Sequence, residues 1–374
     1  NGNRTLLMPL GPLSGLLPDA RVSSRSPVPD VRIGRDWLGR VLDATGLPLD
    51  GGPPPEGDRA LHGTPPPINP LTRRSINEPL DVGVRAINAM LTVGRGQRIG
   101  LFAGSGVGKS TLLGMMTRHT KADVIVVGLI GERGREVADF VHRTLGPDSL
   151  RRACVIAAPA DAPPLARLHG AWLATAVAEY FRDQGLDVLL LMDSLTRFAQ
   201  ASREIGLAVG EPPATRGYPP SALARLPQLV ERAGNGEGAG SITAFYTVLV
   251  DGDDLQEPIA DAARAILDGH IVLSRGIAES GRFPAIDVEA SVSRVAGEIT
   301  SEAHQQTARR LRRLLAAQSR NRDLINIGAY KPGADPATDE AIARGSRIEA
   351  FLRQDVHESA GFEASLRALN QLFA

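Results

Sequence analysis

The residues with the clearest chemical potential are Gly104-Ser105-Gly106-Val107-Gly108-Lys109-Ser110-Thr111. Glycines in a short loop let backbone N–H groups turn inward around an anion, and a helix N-terminus behind them adds a favourable dipole. A lysine at the end of such a loop can reach the β- and γ-phosphates of a nucleoside triphosphate, and the Ser110 hydroxyl can hold a magnesium ion. The spacing Gly104-x-Gly106-x-Gly108 also resembles a dinucleotide loop, but Lys109 and Ser110 have no role there. The strict phosphate-loop pattern has Gly where this chain has Ala103, while the later glycines and Gly108-Lys109-Ser110 are intact. The reading is a P-loop that binds ATP through residues 104–111.

Two carboxylates are candidates to work beside it. Asp193 closes the apolar run Asp187-Val188-Leu189-Leu190-Leu191-Met192-Asp193. On a parallel strand next to the P-loop it can hold the water shell of magnesium, so Ser110 and Asp193 are the expected metal residues. An Asp at a strand end is also a common helix cap, and by itself would leave the two readings level. Glu132, in Gly131-Glu132-Arg133-Gly134-Arg135-Glu136, directly follows the apolar run Val124 to Ile130. A carboxylate there can polarise an attacking water. A solvated loop of paired Glu and Arg is the plainer reading of the same spacing.

These groups need strand, loop and helix in the right order, and the surrounding sequence supplies them. Apolar runs of strand length alternate with helical stretches from Ile76 to about Ile299, the pattern of a mainly parallel α/β sheet. Strands are expected at Arg98 to Phe102, Val124 to Ile130, Ala153 to Ala157, Val188 to Met192, Ser241 to Val250 and His270 to Leu273. Residues 1–65 contain β-like runs at Thr5 to Leu10, Ala20 to Ser23, Val28 to Ile33 and Leu38 to Leu42, suggesting a partial N-terminal β-barrel. The Pro- and Gly-rich stretch from Gly51 to Pro70 reads as a linker. Helix-period apolar residues at Ala303 to Gln318, Asp339 to Leu352 and Glu363 to Phe373 predict a C-terminal helical domain. The expected division is therefore 1–65, 66–300 and 301–374.

Composition narrows the partners. Lys plus Arg and Asp plus Glu each total 42 in 374 residues, so no global field draws the chain to nucleic acid or an anionic membrane. No apolar run reaches the roughly 20 residues of a membrane helix, and the expectation is a cytoplasmic protein. The single cysteine, Cys154, lies in an apolar run and reads as a buried core residue. The chain opens on Asn1 in an already extended stretch, from which a missing natural N-terminus is expected.

Five segments together resemble the rotary-ATP-synthase-like export ATPases. They are 102–110, 131–137, Asp193-Ser194-Leu195-Thr196-Arg197-Phe198, Gly210-Glu211-Pro212-Pro213-Ala214-Thr215-Arg216-Gly217-Tyr218-Pro219-Pro220, and Asp268-Gly269-His270-Ile271-Val272-Leu273-Ser274-Arg275. The chain looks most like the flagellum-specific ATPases of type III protein export, with injectisome ATPases as the near relatives. Residues 320–324 and 327–330 look more flagellar. The resemblance implies a RecA-like P-loop fold, Glu132 as catalytic carboxylate assisted by Lys109, and Arg133 and Arg197 near the γ-phosphate. It also implies Arg294, in Ser291-Val292-Ser293-Arg294, as an arginine finger for a neighbouring subunit, and Phe283 as the aromatic against adenine. The family often has Tyr at that position. Without the resemblance, Phe283 reads as core and Arg294 as surface.

Glu132 and Arg294 in one chain would let identical copies complete each other's sites, which predicts a head-to-tail ring, most simply a homohexamer. The implied partners are export-gate membrane proteins, a coiled-coil stalk protein, chaperone–substrate complexes and a regulator bound through an N-terminal segment expected to be absent here. Arg309, Arg310, Arg312 and Arg313 form either a solvated basic face or a docking surface. A proton-translocating synthase subunit is disfavoured because 335–360 lacks a dense acidic loop. A ring-shaped RNA translocase is disfavoured because Trp37 is the sole aromatic in 1–65 and that region is not basic.

Overall fold

The computed structural model describes residues 7–11, 14–17, 19–23, 31–61, 68–250, 252 and 254–374. In chain order the strands are β1 (Arg32–Ile33), β2 (Val41–Asp43), β3 (Arg59–Ala60), β4 (Arg98–Ala103), β5 (Val124–Ile130), β6 (Ala153–Ala158), β7 (Asp187–Asp193), β8 (Gly234–Asn235), β9 (Ser241–Leu249), β10 (Gly269–Leu273) and β11 (Ile286–Ser293). A nine-stranded sheet has the order β11-β10-β4-β9-β7-β5-β6-β2, with β8 paired to β9. From β10 to β2 every pairing along that path is parallel, and β11 runs antiparallel to β10. The expected strands all form, because Val, Ile and Leu runs buried on both faces suit the middle of a parallel sheet.

Residues 1–65 depart from the barrel expected of them. Within the described part, β1 and β3 make a two-stranded antiparallel ribbon, while β2 pairs in parallel with β6, Val41 opposite Val155. Joining the large sheet buries Val41 and Leu42, which a small separate unit could not do as well. The segment after β2 folds back over that edge, Leu49 N–H donating to Val41 O at 2.8 Å, so the edge is covered. Ala20 to Ser23 is not a strand, and Thr5, Leu6 and residues 28–30 lie outside the described residues.

Helices cover both faces. Lys109–His119 and Arg85–Met90 pack on one, and Pro164–Asp183, Leu195–Ala208 and Pro220–Val230 on the other. The second layer is pinned by a buried ion pair: Arg232 donates from Nε to Glu179 Oε1 at 2.8 Å and from Nη2 to Oε2. Glu179→Ala would strand the arginine charge in the interior, and a loss of roughly 3–5 kcal/mol in chemical denaturation is the expected result.

The C-terminal helices Glu302–Arg320, Pro336–Leu352 and Phe362–Gln371 match the expected positions. Ser301 and Asp335 cap the first two by accepting from His304 N and Ala337 N, and Pro336 opens the second. Their apolar residues, among them Leu311, Leu314, Ile348, Phe351 and Leu369, do not close a core of their own. They join the cluster containing Leu101, Leu112 and Met116 on the P-loop face of the sheet. The arginines of the first helix divide by use. Arg312 donates to Ser291 O and Met90 O, and Arg310 pairs with Glu340 at 2.5 Å under the Phe373 ring, leaving Arg309 and Arg313 exposed.

Candidate active site

Ligands of open α/β sheets bind beyond the carboxyl ends of the strands, where neighbouring connections part to opposite faces. Here the chain leaves β4, skips the two neighbours β9 and β7, and enters β5, so the ends of β4, β9, β7 and β5 frame one crevice. Each delivers a candidate group. β4 runs into the glycine loop, and Gly108, at φ 91°, starts the helix with no side-chain cap on its first N–H groups. Val107 is buried, anchoring the loop, while Ser105, Ser110 and Thr111 are exposed, as ligand-binding groups must be.

Lys109 Nζ donates to Asp193 Oδ1 at 2.5 Å and to Glu132 Oε1 at 3.4 Å. Burial works against the ammonium charge, but Asp193 and Glu132 outweigh it and hold Lys109 above its ordinary pKa. Burial and the Asp193 charge push Glu132 up to about 7, Lys109 opposing and a hydrogen bond with Glu136 assisting. The same pairing lowers Glu136. Asp193 Oδ1 also accepts from Thr247 Oγ1 at 2.6 Å, across the β7–β9 pairing. The peptide from Asp193 to Ser194 is cis, and Ser194 caps the next helix by accepting from Arg197 N.

Arg197 lies over Gly131 so closely that a Cβ there would stand 2.7 Å from the arginine's own, and Gly131 has φ 72°. A glycine before Glu132 is therefore what allows Arg197 to approach it. Arg197 Nη1 is fixed by Gln200 Oε1 at 2.8 Å, while its Nε is buried with no protein acceptor, leaving donor capacity for an anion. The Phe283 ring lies 3.5 Å from where a Cβ on Gly108 would be, with 43% of the residue exposed. A flat apolar face thus stands open beside the loop.

The structure brings Lys109, Glu132, Asp193, Arg197 and Phe283 to this crevice. It does not bring Arg133, whose exposed side chain reaches only Glu136 at 3.5 Å. Arg294 is held at the opposite rim. Ser293 pairs with Gly269 at the start of β10, whose end is level with the end of β4, and Arg294 Nη2 donates to Arg264 O at 3.0 Å. Thr247, Glu136 and Gln200 are the neighbours that sequence reasoning missed. For Thr247 the signal was a hydroxyl inside the apolar run Ile242 to Val250.

The donor set suits magnesium: a hydroxyl and a carboxylate, both hard oxygens, beside a cradle for phosphate. Among the described residues no cluster of His, Cys, Asp or Glu could hold a metal alone. A magnesium ion carried largely by phosphate oxygens and water does not need one.

Comparison with known proteins agrees with this geometry. Residues 83–293 match the model of the ATP synthase alpha/beta family, nucleotide-binding domain, and residues 300–371 that of the T3SS EscN ATPase C-terminal domain. The flagellum-specific ATP synthase of Salmonella typhimurium is 60% identical, over 100% of this chain and 84% of the relative. The type 3 secretion system ATPase of Sinorhizobium fredii is 52% identical, over 99% and 82%. The assembled ATPase EscN of the enteropathogenic E. coli type III secretion system superposes with a TM-score of 0.88 at 45% identity, covering 92% of this chain and 83% of that one. With the buried lysine–carboxylate cluster and both family models in place, the chain belongs to the ATP synthase α/β family, among the ATPases of flagellar and type III export.

Proposed function

We propose that this chain hydrolyses ATP for flagellar type III protein export, at sites completed between neighbouring copies in a homohexameric ring. The observation that carries the shared site is the placement of Arg294 on the rim opposite its own P-loop. An arginine held there cannot stabilise phosphate in its own site, which supports its serving a neighbour's.

In each site the backbone of Gly104 to Gly108, with Thr111 at the helix start, cradles the phosphates. Lys109 moves from its carboxylate partners to the β- and γ-phosphates, and the Phe283 ring takes the adenine. Ser110 and Asp193 would hold magnesium, which supplies charge neutralisation on the phosphates when bound. Glu132, with a carboxyl near neutrality, is suited to accept the proton of the attacking water. Arg197 faces the γ-phosphate side, whereas a role for Arg133 there is proposed from family membership alone. Thr247 orients Asp193, so Thr247→Val should raise the magnesium concentration needed for half-maximal turnover roughly 10–100-fold. A magnesium titration of ATPase rate checks this.

The solved complex of EscN with its central stalk EscO supports a coiled-coil stalk partner here. Export-gate proteins, chaperone–substrate complexes and an N-terminally bound regulator are proposed by family membership. Among the described residues no helix is long and apolar enough to cross a membrane; a cytoplasmic place peripheral to the inner membrane is proposed by family membership. Turnover per chain measured against protein concentration tests the ring. A steep rise is expected, and a flat dependence would mean that each copy is self-sufficient.

A further inference from the structure

Among the contacts that join the C-terminal unit to the ATPase core is a buried amide next to the nucleotide crevice. Gln354, 3% exposed, follows the helix that ends at Leu352, and every hydrogen-bonding group of its side chain is engaged. Its Oε1 accepts from Arg85 N at 2.7 Å, and its Nε2 donates to Gly83 O at 2.8 Å and Glu358 O at 2.9 Å. Its backbone N–H donates to Phe283 O at 3.0 Å. Arg85 reinforces the joint, its Nη1 donating to Phe351 O and Arg353 O and its Nη2 pairing with Glu358.

Phe283 sits in the turn between helix Arg275–Glu279 and β11, with its ring exposed and its main chain tied to the C-terminal unit at this point. We infer that Gln354 is the positioning residue for the Phe283 ring, and that through it the C-terminal unit sets how well the site holds the base of its nucleotide. A buried amide with all its partners satisfied has one orientation, because any other leaves a donor or acceptor unpaired. That orientation fixes the backbone N–H that holds the Phe283 carbonyl, and with it the height of the ring above Gly108.

This rests on the reading of Phe283 as the adenine platform, and the test separates the two. Binding of ATP and of inorganic tripolyphosphate, each with magnesium, is measured for wild type, Gln354→Ala, Phe283→Ala and the double variant. Tripolyphosphate needs the P-loop but no base platform, so it reports whether the fold and the phosphate cradle survive. It also reports damage passed along the P-loop helix, since Arg118 Nη2 bonds Val356 O in the same C-terminal loop at 3.0 Å. Gln354→Ala is expected to weaken ATP roughly tenfold, the scale of one base–aromatic stack, with tripolyphosphate unchanged and little further loss in the double variant. If Phe283→Ala leaves ATP binding intact, the platform reading itself fails. If Phe283→Ala weakens ATP but Gln354→Ala does not, or weakens tripolyphosphate equally, the positioning role is overturned.

Discussion

Arg294→Ala chains are expected to bind ATP as wild type does and to turn it over roughly 10³–10⁵-fold more slowly, the range an arginine finger contributes. The guanidinium lies on the rim of the sheet away from the glycine loop, tied to the Arg264 carbonyl at 3.0 Å. Removing it therefore takes nothing from the nucleotide pocket of its own chain. An equal fall in ATP affinity and rate would instead mark Arg294 as a packing residue. Lysine in its place keeps a charge but not the planar fork that grips a phosphoryl group from two sides, so Arg294→Lys should recover only a small part of the rate.

The second large effect is expected from Glu132→Gln. The amide keeps the size of the side chain and removes its ability to take a proton, which should cost roughly 10²–10⁴-fold in turnover. ATP should bind at least as tightly, because a buried carboxylate next to the phosphates has become neutral. Combining the two defective chains makes the sharper measurement. A site owned by an Arg294→Ala copy and served by a Glu132→Gln copy has both groups intact, and random assembly at equal amounts places about a quarter of sites in that state. Turnover should reappear on mixing; its absence would show that Glu132 and Arg294 do not meet across copies.

What could be read in advance follows the range of the interactions. The P-loop and Asp193 were legible because strand, loop and helix follow one another in the chain. Two parallel pairings, β4 with β9 and β9 with β7, then bring their strand ends together without further instruction. Glu132 was ambiguous because an acidic residue after a strand is equally at home in water. Only the surrounding motifs separated the readings, and the buried contact with Lys109 has the same sense. Thr247 showed only as a hydroxyl inside an apolar run, its partner Asp193 lying on a neighbouring strand, and Gln354 was not legible, since it acts across two structural units. The placement of β2 also escaped, because Val41–Asp43 finds its partners at Val155–Ala157, far along the chain, and no local pattern announces such a pairing.

The apolar residues of the C-terminal helices enter the same cluster as Leu101, Leu112 and Met116 beside the P-loop. A tail built this way is a poor module. Exchange of the C-terminal helices from Glu302 onward between relatives would set two cores against each other at Leu311, Leu314, Phe351 and Leu369, so inheritance should keep the two halves together. Heat should likewise melt both halves in a single calorimetric transition. A push delivered to those helices would travel to the nucleotide through closely packed side chains, with no slack joint to absorb it.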